Sequence, residues 1–95
     1  MHFVIYCRDK TGALETRLAA RADHLVYLDE RKAAVVAAGP LLDDKGDMCG
    51  SLLILDVADQ AAAEAFAAGD PYAKAGLFAS VEIRPWRWSI NPPKA

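Results

Sequence analysis

Phe3-Val4-Ile5-Tyr6-Cys7 alternates two sets of apolar side chains, with Phe3, Ile5 and Cys7 on one side and Val4 and Tyr6 on the other. A strand with one wet face shows alternation of apolar and polar residues. A strand apolar on both sides belongs inside a sheet. The segment therefore reads as strand one, central rather than edge. Leu52 to Val57 has the same character, with Leu53, Leu55 and Val57 set against Leu52 and Ile54.

Between these strands the pattern is helical. Leu14, Leu18, Leu25, Leu28 and Val36 recur at spacings that suit one stripe of a helix over Ala13 to Ala37, and the alanine content favours it. Gly39-Pro40 reads as its stop. Leu41 to Asp44 is expected as a short second strand, ending in the hairpin-type turn Asp43-Asp44-Lys45-Gly46-Asp47. Asp59 is placed as the N-cap of a second helix, Gln60 to Ala68, closed by Gly69. Asp70-Pro71 then reads as a new N-cap and first-turn proline, opening a short helix through Gly76. Ser80 to Trp88 is the expected last strand, followed by a Pro-rich extended tail over 89–95.

The resulting order, β-α-β-β-α-β, is that of an α+β, ferredoxin-like domain: a four-stranded antiparallel sheet with its helices on one face. Strands apolar on both faces leave the other side of that sheet uncovered. Sheet-to-sheet packing of two copies, a dimeric α+β barrel, would cover it, with Val4, Tyr6, Leu52 and Ile54 as candidates for the buried face.

The chain of 95 residues is short for a domain, and its 54% hydrophobic content is high for that size. A homodimer interface accommodates the surplus. The net charge of −2 argues against a broad nucleic-acid footprint. No apolar run approaches the length that spans a bilayer, and Met1-His2-Phe3 shows no basic lead-in to a secretory signal, so the expected location is the cytoplasm. Cys7 and Cys49 form no C-x-x-C pair and read as small apolar fillers on strands. No metal-spaced cluster and no phosphate loop is present, so neither metal nor cofactor is expected.

Arg17, Arg21, His24, Leu28 and Arg31 form a second, mostly basic ridge on the long helix. It reads either as a solvated face or as a titrating histidine flanked by arginines whose planar forks suit a carboxylate. Asp70 reads as a helix cap, a role compatible with orienting a histidine through its other lone pairs. His2 reads as a frayed strand start. Trp86 and Trp88, interleaved with Arg84 and Arg87, could stack on bases, but packing suits the acidic composition better. Ser51, after Gly50, lacks a nucleophile elbow and reads as a possible hydrogen-bond donor to a ligand.

Arg17-Leu18 with Arg21-Ala22-Asp23-His24-Leu25, then Ala38-Gly39-Pro40-Leu41, Gly50-Ser51 and Asp70-Pro71-Tyr72 with Ala75-Gly76 follow one another in an order and spacing that resembles the YciI family of small dimeric α+β barrel proteins. The resemblance runs from Phe3-Val4-Ile5-Tyr6 to Arg84-Pro85-Trp86. It implies a catalytic dyad at His24 and Asp70, a pocket between the long helix and the sheet with Arg21 nearby, and dimerisation through the sheets. Arg17, Arg21, Ser51 and Tyr72 are the expected substrate-binding residues. One relative of known chemistry eliminates chloride from a chlorinated hydroxyquinol-type aromatic.

Two functions follow as expectations. The first is a cofactor-free enzyme in which His24 and Asp70 move a proton during elimination or isomerisation of a small anionic or cyclic substrate. The second is a dimer that binds or senses a small metabolite without turnover. A purely structural domain would leave His24 and Asp70 apart and solvated.

Overall fold

The computed structural model describes residues 1–93. Its elements are β1 (His2–Asp9), α1 (Leu14–Glu30), β2 (Val35–Leu42), β3 (Met48–Asp56), α2 (Gln60–Gly69), α3 (Pro71–Lys74) and β4 (Phe78–Trp86). The strands form one antiparallel sheet in the order β2-β3-β1-β4, so β1 is central, as its two apolar faces require. The fold is α+β and ferredoxin-like. Lys94 and Ala95, the end of the expected tail, lie outside the described residues.

Register separates the two faces of the sheet. Phe3 pairs with Leu55, Ile5 with Leu53 and Cys7 with Ser51 on the helix side. Ile5, Cys7, Leu53 and Leu55 pack there with Phe66 of α2, joined by the partly buried Tyr27 and Leu28 of α1. Each such large side chain contributes roughly 1.5–3 kcal/mol by leaving water. On the opposite face Val4 pairs with Ile54 and Tyr6 with Leu52. Tyr6 and Leu52 stay exposed, which gives this face the composition read from the sequence.

The long helix is shorter than its alanine content suggests. It ends at Glu30 rather than Ala37, and a run of i→i−3 turns through Ala34 leads into β2. Val35 and Val36 are β-branched, and pairing along β3 outweighs the helix propensity of the alanines around them. The second strand is therefore Val35–Leu42, not Leu41 to Asp44. Gly39-Pro40 is no helix stop; it lies within this outer strand, where a missing N–H is tolerated. Pro85 holds the same kind of position in β4, the other outer strand. The third strand begins at Met48, earlier than Leu52, and the fourth runs from Phe78 to Trp86, leaving Trp88 outside it. Trp86 and Trp88 touch each other and His2 rather than sharing a strand face.

Only part of the leucine stripe points inward: Leu28 packs on the core, whereas Leu18 and Leu25 do not. Leu18 and Leu25 are 53% and 46% exposed, while Arg17 and His24 of the basic ridge are 2% and 8% exposed. The ridge that could have been a solvated face is the packed one at those two positions, because each has a fixed polar partner on a neighbouring element: Asp9 of β1 for Arg17, and Asp70 at the α2–α3 junction for His24. The two caps behave as read. Asp59 accepts from the Ala62 N–H, and Asp70 accepts from the Tyr72 N–H with Pro71 in the first turn of α3. Cys7 is a buried filler, and Cys49 is exposed.

Candidate functional site

His24 comes from the middle of α1 and Asp70 from the junction of α2 and α3, 46 residues apart in the chain. The imidazole Nδ1 lies 2.8 Å from Asp70 Oδ1 and 3.0 Å from Oδ2. The same Oδ1 accepts the Tyr72 backbone N–H at 2.9 Å. Capping thus fixes the carboxylate, and the carboxylate fixes the ring. An ionised carboxylate only accepts, so Nδ1 carries the proton, and in the neutral imidazole the lone pair is then on Nε2. The Tyr72 ring stacks on His24 with centroids 3.9 Å apart and planes 16° from parallel.

Arg17, two helical turns before His24, is a different kind of residue from the one expected. Its Nε and Nη2 grip Asp9 at 2.7 and 2.9 Å, Nη2 reaches Ser51 Oγ at 2.8 Å, and its Cζ lies 4.5 Å from the Tyr72 ring centre. Burial opposes the guanidinium charge, but the hydrogen bonds and charge of Asp9 outweigh it and hold Arg17 protonated more firmly than usual. Such a buried pair is locked: removing one partner strands a charge and costs about 3–5 kcal/mol. Arg17 borders the pocket with its cation already matched. Arg21, one turn on, is exposed at the same pocket and makes no ion pair among the described residues.

The pocket between α1 and the β2–β3 edge measures about 190 Å³. Arg21, His24, Ser51 and Tyr72 supply its polar side; Leu25, Leu28, Pro40 and Met48 its apolar side. An apolar cavity of about 150 Å³ holds a benzene ring, so this volume suits one six-membered ring with small substituents. Burial pushes the Tyr72 phenol up and Arg17 partly offsets it, which keeps that hydroxyl protonated. A wider groove, lined by His2, Trp86, Trp88 and Pro92, lies at the far end of β1 and holds no acid–base pair.

All six residues singled out in the sequence, His24, Asp70, Arg17, Arg21, Ser51 and Tyr72, meet in this one region. Asp9 was missed. It continues the inward series Phe3, Ile5, Cys7, and that two-residue period was the signal that could have found it. The Leu25–Pro40 wall was hidden by the misplaced start of β2.

The fold and this pocket define a ferredoxin-like α+β protein with a single-ring cavity under its long helix. The family model of the YCII-related domain matches residues 1–87, and the chain belongs to that family. It is 36% identical to Protein YciI of Escherichia coli O6:H1 and to an uncharacterised protein of Haemophilus influenzae, covering 92% of this chain and 97% of each relative. Among solved structures it resembles the 5-chloro-2-hydroxyhydroquinone dehydrochlorinase of Burkholderia phenoliruptrix, in complex with 2,5-dihydroxybenzoquinone: TM-score 0.85, 38% identity, 92% of this chain and 94% of that one. A NIPSNAP family protein from Agrobacterium tumefaciens shares the fold at TM-score 0.55 and 17% identity, over 96% and 97% of the two chains. Among the described residues no helix is long and apolar enough to cross a membrane.

Proposed function

We propose that the protein is a cofactor-free acid–base enzyme acting on a small anionic or enolic ring compound, with His24 as the base and Asp70 as its anchor. The observation that carries this reading is the contact of His24 Nδ1 with both Asp70 oxygens at the wall of a pocket of about 190 Å³. Asp70 holds the tautomer that frees Nε2 and stabilises the imidazolium formed when Nε2 takes a proton. The Arg21 cation offsets the negative charge that the substrate gains, and Ser51 and Tyr72 position its oxygens. Loss of a leaving group from the resulting enolate gives elimination; return of the proton elsewhere gives isomerisation. The dehydrochlorinase named above, at 38% identity, supports the first. Positioned proton transfer of this kind contributes about 10²–10⁴ in rate.

The working unit in this reading is a homodimer packed through the open sheet face that carries Val4, Tyr6, Leu52 and Ile54. The test begins with 5-chloro-2-hydroxyhydroquinone and a panel of single-ring enols, following chloride release and product formation. His24→Ala abolishes turnover and preserves the fold. Turnover retained in that variant overturns the reading, and saturable binding with no product over long incubation assigns the pocket to a binding protein instead.

A further inference from the structure

Ser51 sits at the start of the buried stretch of β3, opposite Cys7 of β1, and its hydroxyl is 4% exposed with the rest of the residue. Its oxygen lies 2.8 Å from Arg17 Nη2. A guanidinium can only donate, so Ser51 is the acceptor in that bond. Its own proton must then go to a different acceptor. Among the described residues the hydroxyl donates to no protein atom, and the side chain lines the pocket. Arg17 is not free to release it, since Asp9 grips the guanidinium through two bonds of 2.7 and 2.9 Å and both side chains are buried.

From this geometry we infer that Ser51 is a directed hydrogen-bond donor for a ligand oxygen, held in that role by Arg17 and Asp9, and that the pocket takes a ring bearing a hydroxyl next to a carbonyl. The inference rests on the acid–base reading of His24 for its other half. The ligand hydroxyl faces Nε2 and the adjacent carbonyl oxygen faces Ser51. When the ligand O–H bond breaks, the N–H bond forms at Nε2 and the electron pair remains on the ligand, shared with the carbonyl oxygen. Ser51 meets that charge with a proton whose oxygen is already drawn on by a cation, which strengthens the donor. A ring with a lone hydroxyl satisfies Nε2 and leaves the Ser51 proton without an acceptor, an arrangement that buried polar groups penalise. Asp9 and Arg17 are positioning residues here; neither needs to touch the ligand.

The experiment is calorimetric titration of the full chain with 2,5-dihydroxybenzoquinone, in which every hydroxyl neighbours a carbonyl. Ser51→Ala weakens binding about tenfold, the value of one hydrogen bond. Asp9→Asn weakens it comparably, and the double variant is no weaker than Ser51→Ala alone, because both act through one hydroxyl. Ser51→Thr, which keeps the hydroxyl, retains most of the affinity, and this arm decides the matter if Asp9→Asn does not fold. Equal affinity in Ser51→Ala, additive losses in the double variant, or no binding by the wild type overturns the inference. Failure of the acid–base reading is a separate result: it is turnover retained in His24→Ala, and it leaves these affinities as they are.

Discussion

Asp70 meets His24 Nδ1 with both carboxylate oxygens, and one of the two is already committed to the Tyr72 backbone N–H. That double duty decides the effect of Asp70→Asn. The cap needs an acceptor, so the asparagine keeps its oxygen toward Tyr72 and turns its amide nitrogen toward His24. The amide donates, Nδ1 must accept, and the imidazole proton moves to Nε2. The base then points away from the pocket. We expect ¹⁵N spectra to show the Nδ1–H tautomer in the wild type and the Nε2–H tautomer in the variant. Turnover should fall by up to about 10⁴-fold, the loss that follows a reversed tautomer in a catalytic triad, with little change in melting temperature.

Cys7 gives a pH dependence with a definite sign. Burial, reinforced by the charge of Asp70, pushes its thiol up to about 12 from 9.0. Between these values the unfolded chain has lost the proton and the folded chain keeps it, so stability falls as pH rises, by about 1.4 kcal/mol per unit for one such group. Tyr27 and Tyr72, both raised by burial, steepen the fall once their phenols ionise in the unfolded chain. Denaturant melts from pH 8 to 11 should show the decline. In the native protein one thiol, the exposed Cys49, should react with a disulfide reagent near pH 8, and the second only after unfolding.

Gly50 is required by its neighbours. A Cβ there would run into the carbonyl oxygen of Cys7 and the side chain of Leu41. Backbone cannot yield as a side-chain tip can, so Gly50→Ala should force β1 and β3 apart at the residue before Ser51. A loss of about 1–3 kcal/mol in chemical denaturation is expected, in line with other overpacked sites. Because the shift falls beside Ser51, affinity for 2,5-dihydroxybenzoquinone should drop in the fraction that remains folded.

The element order was legible because β1 and β3 carry dense apolar runs and because Asp59, Gly69 and Asp70-Pro71 punctuate the second half clearly. The segment Val35–Leu42 was not, since the strand preference of Val35 and Val36 is diluted by the alanines on either side and by Gly39-Pro40, and the segment gains its state from pairing with β3. The inward face of α1 was misjudged for a related reason. Periodicity identifies stripes, but it cannot say that a buried Arg17 has Asp9 waiting for it, or His24 Asp70. His24 and Asp70 were found by residue chemistry and resemblance; Asp9 needed the fold.

The open sheet face leads to a last expectation. Tyr6 pairs with Leu52 and Val4 with Ile54, so four apolar side chains form one patch on the side away from the helices. Both outer strands carry a proline, Pro40 and Pro85, which makes edge-to-edge extension of the sheet a poor route for association. Face packing remains, and in a two-fold dimer each substitution is felt twice. Leu52→Arg would bring two like charges into the facing apolar patches, at a large desolvation cost. Light scattering after size exclusion should therefore report a dimer for the wild type and a monomer for Leu52→Arg. A Leu52→Met control, similar in volume and apolar, should stay dimeric. A wild type that is monomeric at high concentration would leave the face to some other use and remove the dimer from the proposed working unit, without touching the His24–Asp70 pair.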